Sequence, residues 1–481
     1  MRPDYSDIVF QSASKLAELI RARLVSPLEV VEAHIRRLER LNPALNAIVT
    51  LAPDALDRAR GAEAMLMRGA EIGPLHGVPV TIKDTIETAG LRTTSGSRIR
   101  ENFVPTKDAT VVARLKAAGA VILGKTNTAE LAIPYETNSP VFGRTNNPYD
   151  VERTAGGSSG GEAAAIAACL SPAGIGSDLS GSIRVPAHFC GIAGLKPSSG
   201  RVPADGHTPP VTGPFTLGAC IGPMARTVAD IRLLFGVIAD PAQFELSHDS
   251  MESENFSNGS SLRSLGGMNI AWHVNDNVAP VTEETSDAVK AVAKALGDAG
   301  AEVVESIPPS VSEGSRLWIE LFSGPSIDQL GEFYRDREDE AGPAAGAFLA
   351  AKRKSPEDTM EILAAAMTER ERLRGDLLKW MERTPVIVAP VGSTNAFAHG
   401  TRRIDVGGQT LSVFRAFSYC QTYNVFGLPS VSVPAGRSID GLPLGVQIIG
   451  RPYEEEVVLS VASIVEKAFG GWQPPIFGNG K

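Results

Sequence analysis

Cysteine is scarce in this 481-residue chain. The four present (Cys169, Cys190, Cys220 and Cys420) show neither a C-x-x-C spacing nor nearby paired histidines. That argues against a disulfide framework or a zinc site, and the residues read as reduced, mostly buried thiols in a cytoplasmic protein. A chain of this length buries enough apolar surface to need neither device. Long apolar runs are also missing, and nothing approaches the ~20 residues of a membrane-crossing helix. The longest small-residue stretch, Ala163 to Leu170, stops at Ser171-Pro172 and reads as a core helix. The opening residues, MRPDYSDIVFQSASK, lack the charged-then-apolar pattern of a secretory signal. Positive charge is in deficit as well. With 46 Lys and Arg against 55 Asp and Glu, the formal net charge is −9, which gives no reason to expect nucleic acid or an anionic membrane as partner. No cluster of metal ligands stands out, so neither metal nor cofactor is expected.

What is present is the balance of an ordinary globular protein, 43% hydrophobic and 21% charged. Two or three domains, or one large α/β domain, fit the length. Residues 12–25 and 27–40 read as two helices. The second opens on a start signal, with Ser26 as cap, Pro27 in the first turn and Glu29 at the third helical position. Val30, Val31, Ile35 and Leu38 then mark one buried face. In Gly77 to Lys83 the alternation changes to that of a strand, with Val78, Val80 and Ile82 on one side and Thr81 and Lys83 on the other. A helix over Thr110 to Ala118 and a strand over Val121 to Leu123 follow, so the class is α/β.

From about Asp240 to Gly267, Ser, Asn, Glu and Gly mark a surface connection. A strand (Ile270 to His273), a helix (Glu283 to Ala299) and a strand (Glu302 to Ser306) come next. Residues 310–384 read mostly as helices, and short strands return at Pro385 to Pro390, Pro429 to Pro434 and Leu444 to Ile449. The simplest architecture is one α/β core built from both ends of the chain, with a helical excursion between.

Most chemical information lies in residues 154–201. Two glycine- and serine-rich turns flank one alanine-rich helix, and such turns can aim several backbone N–H groups at one point. They could cradle a phosphate or stabilise an oxyanion. Against phosphate, no Gly-Lys-Ser/Thr follows either loop and no G-x-G-x-x-G opens a helix after a strand. Gly157-Ser158-Ser159-Gly160-Gly161 formally fits the G-x-S-x-G elbow, but that motif belongs between a strand and a helix, and residues 147–152 read as a loop. None of the seven histidines lies inside these motifs. His188 is nearest, and such a residue is more often packed and hydrogen-bonded than catalytic.

Gly156-Gly157-Ser158-Ser159-Gly160-Gly161 followed by Gly176-Ser177-Asp178-Leu179-Ser180-Gly181-Ser182-Ile183-Arg184 resembles the signature of the amidase signature enzymes. That family includes fatty acid amide hydrolase, bacterial amidases and the A subunit of glutamyl-tRNA amidotransferase. Val78-Pro79-Val80-Thr81-Ile82-Lys83-Asp84 resembles the family's lysine strand. The spacings are similar too, with Lys83 and Ser158 75 positions apart and Ser158 and Ser182 24 apart. The resemblance continues through Gly191 to Pro197, Gly427-Leu428-Pro429 and Gly445 to Gly450. It implies a single α/β/α domain around a large mixed sheet over residues 1–481. Residues 310–384 lie outside the matched motifs and mix Trp318, Leu321, Phe322, Phe333, Tyr334 and Phe348 with many charges. They read as a helical segment able to form a lid, or as an ordinary helical layer whose aromatics fill the core.

The resemblance also implies roles. Ser182 is the nucleophile, and Ser158 and Lys83 are its proton relay. Backbone N–H groups of Leu179, Ser180, Gly181 and Ser182 form the oxyanion hole, and the peptide bond before Ser158 is cis. The family usually has two glycines before the nucleophile, and Ser180 replaces the first. Serine keeps its N–H, so the hole is expected to survive, slightly narrower and more polar. Ser159 is expected to be a structural loop hydrogen-bonder. Asp178 and Arg184 either organise the nucleophile loop or form an ordinary surface or structural ion pair. Lys83 must act as the neutral amine, and burial beside the apolar strand is the expected cause of a lowered pKa. The competing reading is a surface lysine paired with Asp84.

A small-molecule amide, ester or carbamate is the expected substrate, and a homodimer is compatible with this reading. The rival is the A subunit of a tRNA-dependent amidotransferase, a glutaminase working inside a complex. Residues Thr128 to Pro134 depart from the Met-rich segment of those proteins, which tilts the reading toward a stand-alone hydrolase. A non-catalytic phosphate-binding protein is the third reading.

Overall fold

The computed structural model describes residues 5–240, 265–351 and 356–476. The surface connection expected around 240–267 therefore falls almost wholly outside the described residues. Eleven strands form one sheet: β1 (Ile48–Leu51), β2 (Pro79–Lys83), β3 (Val121–Thr126), β4 (Ala173–Asp178), β5 (Ala193–Lys196), β6 (Cys220–Ala225), β7 (Asn269–Trp272), β8 (Glu302–Glu305), β9 (Val386–Pro390), β10 (Ser430–Arg437) and β11 (Pro443–Ile449). Their spatial order is β1-β3-β2-β4-β6-β5-β10-β11-β9-β7-β8. Pairing is parallel for β3/β2, β2/β4, β9/β7 and β7/β8, and antiparallel elsewhere. This is the expected mixed α/β sheet, with strands drawn from both ends of the chain.

Strand alternation puts successive side chains on opposite faces, and β9 displays it. Val386 and Val388 join one apolar cluster, while Ile387 and Ala389 join another. The first cluster receives Val289, Val292 and Leu296 of the helix Glu283–Asp298, and Val458, Val461 and Val465 of the helix Glu455–Phe469. The second receives Leu317, Leu321 and Phe322 of the helix Gly314–Phe333, and Leu373, Leu377 and Met381 of the helix Pro356–Met381. The sheet is thus covered on both faces here, and residues 310–384 form the cover on one of them.

Local signals held closely. Ser26 Oγ accepts from the Glu29 N–H at 3.1 Å and Glu29 Oε2 accepts from the Ser26 N–H at 2.9 Å, which starts the helix Pro27–Leu45. That helix runs five residues past the expected end and stops at Asn46, whose φ of 51° is left-handed. All four cysteines are free and buried. One element differs from expectation: residues 146–147 and 150–154 form a small antiparallel ribbon rather than a loop. The ribbon stands apart from the central sheet, so Ser158 does not sit at the end of a core strand.

Candidate active site

Three segments converge on one point. The first is the end of β2, where Thr81 and Lys83 face away from the apolar cluster that holds Val80 and Ile82. The second is the loop before the helix Gly160–Ala167, and the third is the turn from β4 into the helix Arg184–Phe189. Lys83 Nζ lies 2.6 Å from Ser158 Oγ and 3.0 Å from Ser177 Oγ. Lys83 and Ser158 are fully buried, whereas Ser182 keeps 6% exposure. The Gly157–Ser158 peptide bond is cis. The Ser158 carbonyl is held by the Ala129 N–H and by the hydroxyls of Thr128 (3.0 Å) and Thr137 (3.2 Å).

Burial pulls the Lys83 ammonium down from its ordinary 10.5 to about 7, although the Asp178 and Glu162 carboxylates pull the other way. The neutral amine is therefore accessible near neutral pH. The surface reading of Lys83 is excluded, because the residue is buried and Asp84 hydrogen-bonds Thr94 instead. Glu162 was not legible from the sequence. It accepts from the hydroxyls of Thr81 and, at 2.8 Å, Thr126, and burial pushes its carboxyl up to about 7. It fits only because residue 174 is glycine, where a Cβ would come within 1.9 Å of Glu162 Oε1.

Asp178 ties together the turn that carries Ser182. Its Oδ1 accepts from the Gly181 N–H at 2.7 Å, and its Oδ2 from the Ile183 N–H at 3.1 Å. Arg184 meets both oxygens, Nε at 3.1 Å and Nη2 at 3.0 Å, with neither side chain exposed. Burial alone pushes the Asp178 carboxyl up, but the Arg184 guanidinium and these donors outweigh it and hold the carboxyl below its ordinary value. The surface-pair reading is thereby corrected: a bidentate pair this deep persists only when every lone pair is used.

The Leu179 carbonyl accepts from Trp318 Nε1 at 2.8 Å and the Ser180 carbonyl from the Tyr135 hydroxyl at 2.6 Å. In a planar trans peptide a carbonyl and the following N–H point to opposite edges. These two bonds therefore orient the Ser180 and Gly181 N–H groups. Of the four expected oxyanion donors, Gly181 has its N–H committed to Asp178. Those of Leu179, Ser180 and Ser182 donate to no atom of the chain among the described residues. Gly181 has φ +111°, and a Cβ there would lie 2.7 Å from the Cys420 Cβ. Glycine is required on both counts. The Ser159 hydroxyl bonds the Ser177 carbonyl at 3.3 Å, and its N–H the Ser182 carbonyl at 3.2 Å.

Ser158, Ser177 and Ser182 line a cavity of about 960 Å³ whose walls include Tyr135, Phe215, Trp318, Phe348, Phe397 and Phe414. Of the aromatics singled out in 310–384, Trp318 and Phe348 face it. Phe322 fills the core, and the Tyr334 hydroxyl bonds Glu130 at 2.8 Å. His188 is a packed histidine, accepting from the Gly445 N–H at 2.7 Å. The histidine that reaches the site is His207, whose Nε2 lies 2.9 Å from Ser177 Oγ. No spacing in the sequence signals it, since it stands 124 positions after Lys83.

A mixed sheet with a buried lysine, two serine loops and a lined cavity describes a hydrolytic enzyme class. Residues 29–459 match the Amidase family. The chain is 34% identical to the A subunit of a glutamyl-tRNA(Gln) amidotransferase from Caldanaerobacter subterraneus subsp. tengcongensis, over 95% of this chain and 96% of that one. It is 32% identical to human fatty-acid amide hydrolase 2, over 98% and 92%. A bacterial aryl acylamidase of the amidase signature family superposes with a TM-score of 0.83 at 27% identity, covering 95% of this chain and 96% of that one. The chain belongs to the amidase signature family and is an enzyme acting on carbon–nitrogen bonds of amides. That membership displaces the phosphate-binding reading.

Proposed function

We propose that the chain is a stand-alone serine amidohydrolase in which Ser182 is the nucleophile and Ser158 and Lys83 are its relay. The observation that carries the reading is the 2.6 Å contact between Lys83 Nζ and Ser158 Oγ, buried beneath a cavity that Ser182 also lines. Neutral Lys83 takes the Ser158 proton while Ser158 takes that of Ser182, whose oxygen attacks the acyl carbon. The N–H groups of Leu179, Ser180 and Ser182 are the candidate donors to the oxyanion. The relay then returns the proton to the departing nitrogen, leaving an acyl-serine, and water enters by the same relay in reverse. Asp178 and Arg184 hold the turn, and Ser159 ties it to the Ser158 loop.

The substrate is a small amide, ester or carbamate, and the aromatic walls favour an apolar group beside the scissile bond. Residues 310–384 wall the cavity as a lid segment of one domain, 1–481, because a single sheet takes strands from both ends of the chain. Buried free thiols support a cytoplasmic location, and a homodimer is compatible with this reading. Replacing Ser182 by alanine should lower turnover of anilides and esters roughly 10⁴-fold or more with the fold intact. Activity near that of the parent would overturn the assignment. The likeness to the A subunits of amidotransferases supports a second reading. Glutaminase activity that appears only with co-purified partner proteins, and no turnover of anilides, would establish it instead.

A further inference from the structure

Lys83 has two hydroxyl partners, and the direction of the hydrogen in the second is set from outside the pair. Ser177 Oγ lies 3.0 Å from Lys83 Nζ and 2.9 Å from His207 Nε2. The other ring nitrogen, Nδ1, is 2.7 Å from the Pro209 carbonyl oxygen. A carbonyl oxygen only accepts, so Nδ1 carries a hydrogen. Burial, reinforced by the Lys83 charge and only partly offset by the Pro209 bond, pulls His207 down to about 4 and keeps the ring neutral. A neutral imidazole has one N–H, so Nε2 presents a lone pair and Ser177 donates its hydroxyl hydrogen there. Ser177 then has only lone pairs to offer Lys83.

A neutral lysine amine has two N–H groups and one lone pair. With Ser177 restricted to accepting, it takes one of the N–H groups, and the lone pair remains for the Ser158 hydroxyl. Without an acceptor at position 207, the Ser177 hydroxyl could turn and compete with Ser158 for that lone pair. We propose that His207, acting through Ser177, is a positioning residue that keeps the Lys83 lone pair directed at Ser158. The loop carrying His207 is tied to the segment just after Lys83: the Thr208 N–H donates to the Thr85 carbonyl at 2.8 Å, and the Glu87 N–H to the Gly206 carbonyl at 2.9 Å. Ring and lysine therefore share one frame. The charged group facing His207 is Lys83, and the Asp178 and Glu162 carboxylates act on Lys83 in turn.

This inference rests on the Ser182, Ser158 and Lys83 reading, and its test separates the two. Steady-state rates of the full chain on one chromogenic ester or anilide are measured across pH for His207→Phe, His207→Ala, His207→Gln, Ser177→Ala, the His207/Ser177 doubles and Ser182→Ala. Thermal unfolding and titration with a fluorophosphonate count folded sites, and either the Phe or the Ala variant suffices if the other does not fold. Removing the acceptor should lower kcat roughly tenfold with KM changed by less than about twofold. The rising limb of the pH profile should move to lower pH, because a Ser177 hydroxyl free to donate stabilises the neutral amine. His207→Gln, which presents an oxygen acceptor, should recover kcat to within about threefold of the parent. In the Ser177→Ala background, losing His207 should cost nothing more. Equal losses in the Phe and Gln variants, an additive loss in the double variants, or an effect on KM alone would overturn the proposal. If Ser182→Ala is inactive and His207→Phe matches the parent, the positioning role alone fails. If Ser182→Ala turns over normally, the catalytic reading itself fails.

Discussion

Replacing Lys83 by methionine should stabilise the protein relative to the parent most at and below about pH 7, and progressively less as the pH rises, while abolishing activity. The drop of the Lys83 ammonium from 10.5 to about 7, at about 1.4 kcal/mol per pH unit, corresponds to about 5 kcal/mol of burial cost at and below pH 7. Between those two values the unfolded chain binds a proton at Lys83 that the folded chain does not. The stability of the parent therefore rises with pH across that window and is level below it. Methionine, unbranched and uncharged, carries no such dependence. It also loses the contacts with Ser158 and Ser177, but that loss is the same at every pH. The diagnostic is thus the slope: the advantage of the variant should shrink by about 2.7 kcal/mol for two pH units of increase above pH 7. Lys125, lowered to about 8, is present in both proteins, and Glu162, raised to about 7, loses the downward pull of the Lys83 charge in the variant, which shrinks the variant's advantage with rising pH in the same direction. Urea unfolding followed by tryptophan fluorescence at several pH values measures the difference. A gap that stays level from pH 7 to about pH 9.5 would refute the claim that Lys83 is a buried, largely neutral amine.

The parent's kcat/KM should rise with pH along a limb near 7, reflecting deprotonation of Lys83 in the free enzyme; a profile level from about pH 6 to about pH 9 would contradict it. Asp178→Asn leaves the Arg184 charge buried without its carboxylate, which should cost roughly 3–5 kcal/mol in urea unfolding. A loss under about 1 kcal/mol would show the pair to be dispensable. Trp318→Ala removes both a cavity wall and the donor to the Leu179 carbonyl. It should change the ranking of bulky against short substrates, whereas a uniform loss on every substrate would mark residues 310–384 as scaffold.

Much of the candidate site was legible because its residues lie in short motifs that resemble those of a known family. Ser158, Ser159, Ser182 and the glycines between them lie in two short turns, and glycine at 181 answers a backbone shape that other residues resist. Alternation along 78–83 put Lys83 on the face opposite Val80 and Ile82, which is where it lies. The ribbon at 146–154 was not legible, since its residues carry turn chemistry and no alternation of apolar side chains.

What the sequence determined by itself is the α/β class, which follows from periodicities within a few residues, and, through motifs that resemble those of a known family, the candidate groups Lys83, Ser158 and Ser182. The tertiary structure alone decided the surroundings of those groups. Glu162, on the helix Gly160–Ala167, stands near Lys83 because Thr81 of β2 and Thr126 of β3 hold it there, His207 reaches Ser177 from a connecting loop, and Trp318 and Tyr135 hold the turn carbonyls from two distant segments. Such contacts join residues tens to hundreds of positions apart, where no spacing rule operates, and a buried histidine or glutamate looks the same in sequence whether it fills the core or faces a lysine. Burial itself, which lowers Lys83, is a property of the packed layers on both faces of the sheet and exists only once they have come together.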